Sequence, residues 1–289
     1  MIYLFLSLVT GTWLAAVFKI IGRRKVRAGV VITVNYLAGA VSTALQCLGS
    51  GEAIRRYGEE GRNGGLLLLA GALLGLFMCV NLCYTEQSTK ENGVGSTTFF
   101  NRIGFFPCVL VTAVLWGETL SPAQGVGLVL VLAALLEMVR SVQAIRVKSG
   151  SRILWLIGST AMIEFMNRIF SRYFDPLAKP IFLLAAFMAA LAASLLATAK
   201  EIKGNKKPVR EEVLLGLALG VPNSFNTLLK LKSLETLPAA VVFSVFSVGT
   251  MALSVIIGAA VFKEKATKRT AVSVGLAAAS IVLMCWPLG

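Results

Sequence analysis

Residues 237–286 read LPAAVVFSVFSVGTMALSVIIGAAVFKEKATKRTAVSVGLAAASIVLMCW. They contain two apolar runs, residues 237–261 and 270–286, and neither run includes a charged side chain. A short charged hinge that contains Glu264 joins the two runs. Both runs fall in the range of about 17–25 residues that a transmembrane helix uses. The stretch therefore predicts a pair of membrane-spanning helices.

An earlier stretch repeats this arrangement, because residues 115–122 read LWGETLSP and also separate two apolar runs. Glu118 lies 146 positions before Glu264, which is close to half of the 289-residue chain. A hydroxyl residue, Ser121 or Thr267, stands three positions after each glutamate. Hydroxyl side chains suit the N-cap of a helix, and the proline after Ser121 suits the first helical position. The spacing predicts a chain whose two halves share one plan.

The composition is that of a polytopic membrane protein, with 56% hydrophobic and 15% charged residues. A backbone in lipid must satisfy its own hydrogen bonds, so spanning segments are helices or closed barrels. The runs are apolar on every face and do not alternate, which favours helices. The fold class predicted from the sequence is an all-α membrane protein.

The apolar runs predict ten transmembrane helices in two five-helix repeats, residues 1–146 and 151–289. The expected spans are residues 1–22, 29–48, 64–86, 93–116, 122–145, 152–173, 177–199, 213–231, 238–262 and 268–288. Matching GxxxG motifs occur in the third and eighth spans, at residues 71–75 and 216–220. Such motifs let helix backbones approach closely in lipid. An odd number of spans per repeat requires opposite insertion of the two repeats, the inverted-repeat plan of many secondary transporters.

The charge pattern indicates a membrane partner and no nucleic acid. The net charge is +14, but the Lys and Arg residues lie in short loops between spans, as in many membrane proteins. Their distribution favours both termini outside. The chain has no histidine and no GxxxxGK[ST] motif, which excludes HExxH zinc chemistry, Ser-His-Asp triads and a P-loop. We expect no enzyme activity, no cofactor and no metal site, and we interpret the five cysteines as buried apolar residues.

The chain resembles the drug/metabolite transporter superfamily, specifically proteins with two EamA-type repeats. The resemblance rests on residues 116–127 (WGETLSPAQGVG), 261–267 (VFKEKAT), 237–240 (LPAA) and the Asn35-Tyr36 pair. One departure is Ser273, which stands where the family usually has the glycine that Gly127 supplies. The resemblance implies a multi-pass carrier of the bacterial inner membrane that moves amino acids, other metabolites or drugs. It also implies that both termini are cytoplasmic, whereas the distribution of Lys and Arg favours both termini outside.

Charged side chains within the predicted spans are the first candidates for function, because a charge is costly inside a membrane. Glu164 lies near mid-depth of the sixth span, and Arg168 follows four residues later on the same helical face. One reading makes Glu164 an ion-coupling or gating site, with Arg168 as its partner. The other makes the two side chains a neutralised structural pair.

A second charged candidate, Arg102, lies near the middle of the fourth span and follows Asn101. An arginine there either pairs with a carboxylate, for which Glu164 is the expected partner, or binds an anionic group of a solute. We predict Arg102 and Asn101 as substrate-binding residues.

Two pairs of polar side chains are further substrate-binding candidates. Asn223 and Asn226 share a face of the eighth span beside Pro222, which removes a backbone hydrogen bond. Asn81 and Tyr84 share a face of the third span. Hydrogen bonding between helices is the alternative role of the asparagines.

The function expected from these observations is secondary transport of a small organic solute by alternating access, with proton coupling as one option. The solute would lie between the third, fourth, sixth and eighth spans, where Arg102, Glu164 and Asn226 are expected to converge. The alternative function is that of a lipid-carrier translocase subunit or a non-transporting membrane partner. A homodimer is one of the arrangements that the sequence allows.

Overall fold

A computed structural model describes residues 1–24, 26–59, 62–92, 94–142, 147–202, 209–261 and 267–286. All regular elements in these residues are helices. The α-helices are α1 (Ile2–Arg23), α2 (Ala28–Gly49), α3 (Gly51–Glu59), α4 (Arg62–Asn92), α5 (Val94–Ile103), α6 (Phe105–Trp116), α7 (Pro122–Val142), α8 (Gly150–Tyr173), α9 (Lys179–Ile202), α10 (Arg210–Leu234), α11 (Ala239–Ala260) and α12 (Lys268–Cys285). A short 3-10 helix, Pro176–Ala178, precedes α9.

Within the described residues, nine helical segments are long and apolar enough to cross a membrane. One of them, Ser96–Trp116, includes both α5 and α6. The predicted eighth span lies in α10, which has 25 residues but is not among the nine. Polar side chains in the second half of α10 lower its apolar character. The structure therefore agrees with a multi-pass helical membrane protein.

The helices pack into two compact units. The first unit consists of Met1–Leu82 with Met166–Glu235, and the second consists of Cys83–Phe165 with Thr236–Gly289. Each unit takes segments from both halves of the sequence. The compact units therefore follow a different division of the chain from the two predicted repeats, residues 1–146 and 151–289.

In the first unit, α4 packs closely on α9 through its two motif glycines. A Cβ atom on Gly71 would lie 2.6 Å from the carbonyl oxygen of Phe182. A Cβ atom on Gly75 would overlap the carbonyl oxygen of Ala186. Any larger residue at either position would push the two backbones apart.

The same unit contains a second contact of this kind, between α10 and α2. A Cβ atom on Gly216 would lie 3.1 Å from the carbonyl oxygen of Val31, and one on Gly220 would overlap that of Asn35. The glycines of α10 follow those of α4 by 145 positions, and the opposing carbonyls of α9 follow those of α2 by 151. The close approach predicted from both GxxxG motifs is confirmed.

In the second unit, α7 packs on α12, and α11 packs on both of them and on α5 and α6. A Cβ atom on Gly127 of α7 would lie 3.1 Å from the Cγ atom of Met284 in α12. Met138 and Met284 are 146 positions apart, and both are fully buried. The 146-residue spacing seen at the two glutamates thus recurs in the packing of this unit.

Both α7 and α12 begin with the same reciprocal hydrogen bonds. The Ser121 hydroxyl accepts from the Gln124 backbone N–H at 3.3 Å, and the Gln124 side chain accepts from the Ser121 N–H at 3.1 Å. The Thr267 and Thr270 side chains accept from each other's backbone N–H groups, both at 3.2 Å. Each arrangement is a capping box, so the predicted N-caps are confirmed. Helix α7 also starts at the expected proline.

The connection between the second and third predicted spans, residues 49–63, contains a helix, α3, that the sequence pattern did not indicate. Glu52 lies in its first turn and Arg56 in its last turn, which suits the helix dipole. An ion pair of 3.5 Å joins Arg55 to Glu52 one turn away. Arg56 also approaches Asp175, at 3.8 Å, within the first unit. These local charges favour a helix in a segment that is too short and too polar to be a span.

Candidate functional site

The span Ser96–Trp116 is broken at Gly104, where α5 meets α6. The Gly104 N–H donates to the Asn101 carbonyl at 3.3 Å, a tighter turn than that of an α-helix. Pro107 has no N–H with which to bond the Ile103 carbonyl, so the helical hydrogen-bond pattern is interrupted. A Cβ atom on Gly104 would lie 2.5 Å from the Cβ atom of Thr160. The glycine therefore also allows α8 to approach the break.

The Asn101 side chain lies at this break and joins three helices of the second unit. Its Nδ2 donates to Thr85 Oγ1 of α4 at 3.2 Å. Its Oδ1 accepts from the Thr160 hydroxyl of α8 at 2.8 Å. Both ends of the amide are thus engaged by protein groups. The geometry gives Asn101 a positioning role next to Arg102, and its contact with a solute stays a prediction.

Arg102 extends from the last turn of α5, directly before the break. Its guanidinium carbon lies 5.8 Å from the centre of the Phe246 ring of α11, a cation–π contact. The charge of the buried Glu164 acts on it electrostatically. No hydrogen bond or ion pair from another described residue reaches the guanidinium. Within the described part of the chain its N–H donors are not engaged, and a guanidinium can use such donors to bind an anionic group.

Arg168, the other charged candidate on α8, lies in the first unit, whereas Glu164 lies in the second. The Arg168 guanidinium donates to the Leu234 carbonyl at 3.4 Å, and the Ser171 hydroxyl donates to the same oxygen at 3.0 Å. The two side chains of α8 thus satisfy a carbonyl at the end of α10. The expected coupling of Glu164 with Arg168 stays a prediction.

The second unit contains two stacked pairs of aromatic side chains, one of which includes the candidate Tyr84. Tyr84 of α4 stacks on Trp155 of α8, with ring centres 5.6 Å apart and planes 7° apart. Trp116 of α6 stacks on Phe165, the neighbour of Glu164, at 5.7 Å. Tyr84 therefore has one ring face covered. Asn81, its predicted companion, is buried and belongs to the first unit.

In the first unit, polar side chains of α10 meet polar side chains of α2. Asn223 Nδ2 donates to Asn35 Oδ1 at 3.4 Å, and the Ser224 hydroxyl donates to Ser42 Oγ at 2.8 Å. Asn35 is only 2% exposed, and its own Nδ2 has no hydrogen-bond partner among the described residues. An amide donor that is buried in this way is a group to which a ligand or water can bind.

Asn226 joins α10 to α1. Its Nδ2 donates to the Ser7 carbonyl at 2.7 Å and to Thr10 Oγ1 at 2.9 Å. These are the interhelical hydrogen bonds that the sequence left open as an alternative. The role of Asn226 in solute binding stays a prediction.

Pro222 lies inside α10 without ending the helix. Because proline has no N–H, the carbonyl of Ala218 loses its intrahelical donor. The indole Nε1–H of Trp13 in α1 donates to this carbonyl at 2.9 Å. The sequence predicted the lost bond but not the side chain that replaces it, since Trp13 is 205 positions away.

The start of α10 is held by a buried ion pair that the sequence did not predict. Glu212 accepts from the Arg27 backbone N–H at 3.0 Å, from its Nε at 2.9 Å and from its Nη2 at 2.7 Å. Glu212 also accepts from the Val209 N–H at 3.0 Å, which caps the helix. The side-chain bonds from Arg27 lower the pKa of Glu212 to about 2, although burial opposes this shift. The only signal in the sequence was that both residues flank predicted spans.

The candidates thus form two groups, one in each unit. Asn101, Arg102, Tyr84 and Glu164 belong to the second unit, whereas Asn81, Asn223, Asn226 and Arg168 belong to the first. Within the second unit, the structure brings Arg102 and Asn101 to the helix break and into the field of Glu164. The convergence of all candidates on one cavity stays a prediction.

Comparison with known proteins identifies a fold. No protein-family model matches the sequence, and no curated protein matches it. Among 29 matching chains of solved structures is a crystal structure with a TM-score of 0.74. It is 17% identical to this chain, and the alignment covers 99% of this chain and 96% of the other. At this identity the likeness concerns the fold alone.

Proposed function

We propose that the chain is a multi-pass secondary transporter with ten spans, built as two inverted five-helix repeats of the drug/metabolite transporter type. The observation that supports this proposal most strongly is the duplicated helix contact of the first unit. The contact of α4 with α9 matches the contact of α10 with α2. The glycines of α4 and α10 are 145 positions apart, and the opposing carbonyls of α2 and α9 are 151 positions apart. A tertiary contact that recurs at constant offsets is what an internal duplication produces.

In this proposal α10 is also a span, the eighth of the ten in chain order. Its 25 residues would extend about 38 Å at 1.5 Å per residue, which is enough to cross a bilayer. Its polar groups have partners within the first unit, including Asn226 on α1 and Ser224 on α2. Trp13 satisfies the carbonyl that Pro222 leaves without a donor. These bonds reduce the cost of placing a polar helix in a membrane.

Ten spans give each repeat five, so the two repeats enter the membrane in opposite orientations. Inverted repeats and helices broken near mid-span are common in secondary transporters, where the solute binds at such breaks. The break at Gly104 in the fourth span fits this plan. Because the sequence has no P-loop motif, transport would draw on an ion gradient or on the gradient of the solute.

The proposed roles follow the two groups of residues. Glu164 is the ion-coupling side chain, with Arg168 as a gating residue. Solute contacts come from Arg102 with Asn101 and Tyr84 in the second unit, and from Asn81, Asn223 and Asn226 in the first. The expected location is the bacterial inner membrane.

The test is reconstitution in liposomes with a panel of small metabolites and an imposed pH gradient. We expect uptake of at least one solute that depends on the pH gradient, and Glu164→Gln should abolish that dependence. Glu137→Gln is the matched control, because Glu137 forms a surface ion pair with Arg140 at 3.3 Å. Unchanged coupling in Glu164→Gln would remove Glu164 from the mechanism, and no flux of any solute would contradict the transport function.

A further inference from the structure

The guanidinium of Arg102 lies beside the break in the span Ser96–Trp116 and has no anionic partner in contact among the residues that the structure describes. Arg102 lies eight residues after the first residue of α5, about 12 Å along the helix at 1.5 Å per residue. A charged arginine at this depth is costly unless it has a partner or faces water. The cation–π contact with Phe246 compensates only part of that cost, because such contacts contribute about 0.5–2 kcal/mol.

Hydrogen bonds to neighbouring helices hold the residue that precedes Arg102. Asn101 is held by Thr85 and Thr160, so the last turn of α5 is fixed against α4 and α8. Gly104 brings α8 against the break. A site whose residues are already fixed binds its ligand without the cost of ordering them. The backbone that carries Arg102 is therefore built as a rigid platform.

The chemistry available at this platform selects for one kind of ligand. A guanidinium recognises a carboxylate through two parallel N–H···O bonds. The Phe246 ring beside it provides an apolar surface for the body of the ligand. Glu164 is buried in the same unit, and its carboxylate, when ionised, disfavours a second negative charge on the ligand. A monoanion consequently fits better than a phosphate dianion.

We propose that Arg102 binds the carboxylate of the solute and that the ligands of this protein are organic monocarboxylates with an apolar body. The inference rests on the proposed transport function for its physiological meaning, but the binding event itself can be measured without transport. The carboxylate can come from a soluble metabolite or from a fatty acid, and chain length separates these sources.

The experiment measures the thermal unfolding midpoint of the purified protein in detergent. The probes are phenylacetate, benzoate, 4-methylpentanoate and laurate, each paired with its primary amide, together with inorganic phosphate. We expect at least one carboxylate to raise the midpoint of the wild type, and its amide and phosphate to have little effect. A shift with laurate alone would assign the site to fatty acids, and shifts with the short acids would assign it to soluble solutes.

Three variants locate the effect. Arg102→Gln should weaken carboxylate binding about 100-fold, because it removes two charge-assisted hydrogen bonds. Arg102→Lys should keep part of the affinity, since lysine provides the charge without the planar fork. Arg140→Gln, at an exposed ion pair, should bind like the wild type. Without ligand, Arg102→Gln should melt at or above the wild-type temperature, because it removes a charge that no anionic group of the described residues contacts.

Several results would overturn the inference. The first two concern the variant: ligand-free Arg102→Gln melts below the wild type, or it still binds carboxylates. The other two concern the wild type: acids and amides shift its midpoint equally, or no acid shifts it. Flux of neutral or cationic solutes without carboxylate binding would contradict this inference and leave the transport function intact. Carboxylate binding through Arg102 without flux of any solute would support this inference and contradict the transport function.

Discussion

The contacts of α4 with α9 and of α10 with α2 share one backbone geometry and differ in their side chains. In the first contact, Gly71 and Gly75 pack against the backbone and side chains of Phe182 and its neighbours. In the second, hydrogen bonds of Asn223 and Ser224 to α2 accompany the glycine contact. The comparison shows that close packing is common to both contacts, and that the contact of α10 with α2 adds hydrogen bonds between polar side chains.

The largest expected effect tests whether the two contacts are equivalent. Gly75→Ala and Gly220→Ala each place a methyl group where a backbone carbonyl lies, so both should lower the free energy of unfolding by about 2–3 kcal/mol. Chemical or thermal unfolding in detergent would measure the change. Gly65→Ala on α4 is the control, because a Cβ atom there meets nothing within 4 Å. A loss at only one of the two glycines would show that the contacts are not equivalent.

A second prediction concerns the ion pair that holds the start of α10. Glu212→Gln should lower the free energy of unfolding by about 2–3 kcal/mol at pH 7, because Arg27 would lose its buried anionic partner. The pKa of Glu212 is lowered from 4.5 to about 2, so its contribution is present above pH 4.5 and is lost as the pH falls toward 2.

Unfolding midpoints at pH 7 and pH 3 would test this pH dependence. The difference in midpoint between the wild type and Glu212→Gln should be smaller at pH 3 than at pH 7. Glu211→Gln is the control, because its pair with Arg24 is solvent-exposed and 3.5 Å long. A larger difference in midpoint at pH 3 would contradict the lowered pKa of Glu212.

A third prediction separates Trp13 as a hydrogen-bond donor from Trp13 as an apolar side chain. Trp13→Phe should cost about 1 kcal/mol in the wild type, because the Ala218 carbonyl loses its donor. In a Pro222→Ala background the helix provides its own N–H, so the same change should cost much less. The double-mutant cycle measures this difference in unfolding free energy. Equal losses of unfolding free energy in both backgrounds would show that Trp13 acts only by packing. The control is Trp286→Phe, which changes an exposed tryptophan.

The smallest expected effect concerns the duplicated caps of the second unit. Ser121→Ala and Thr267→Ala should each cost about 1 kcal/mol, because each removes the oxygen that accepts from the N–H of the third residue of its helix. Thermal unfolding would measure both losses. Thr119→Ala, outside the cap, should have little effect. Clearly unequal losses would argue against equivalent helix starts.

Sequence patterns predicted the features that depend on local residue order. The caps at Ser121 and Thr267 and the close packing at both GxxxG motifs follow from short motifs with direct physical meaning, and the structure confirms them. The apolar runs likewise predicted the spanning helices, except that α10 is not among the nine apolar segments in the described residues. Its polar residues are the reason for both its lower apolar character and its functional interest.

The site was less predictable because its decisive features are contacts between distant segments. The proximity of Arg102 to Phe246 and of Trp13 to Ala218 depends on tertiary packing, for which a single sequence contains no local signal. The break in the fourth span is different, because Gly104 and Pro107 were visible in the sequence and together indicate an interrupted helix.

The central claim is the inverted repeat with α10 as a span, and the sidedness of two hinges tests it most directly. Thr119→Cys marks the hinge before α7 and Lys268→Cys the start of α12, each in a background with the five native cysteines replaced by serine. Both positions are exposed. A membrane-impermeant thiol reagent, applied to right-side-out and inverted vesicles, reports the side of each cysteine. Five intervening spans predict labelling from opposite sides, and labelling of both from the same side would contradict the claim.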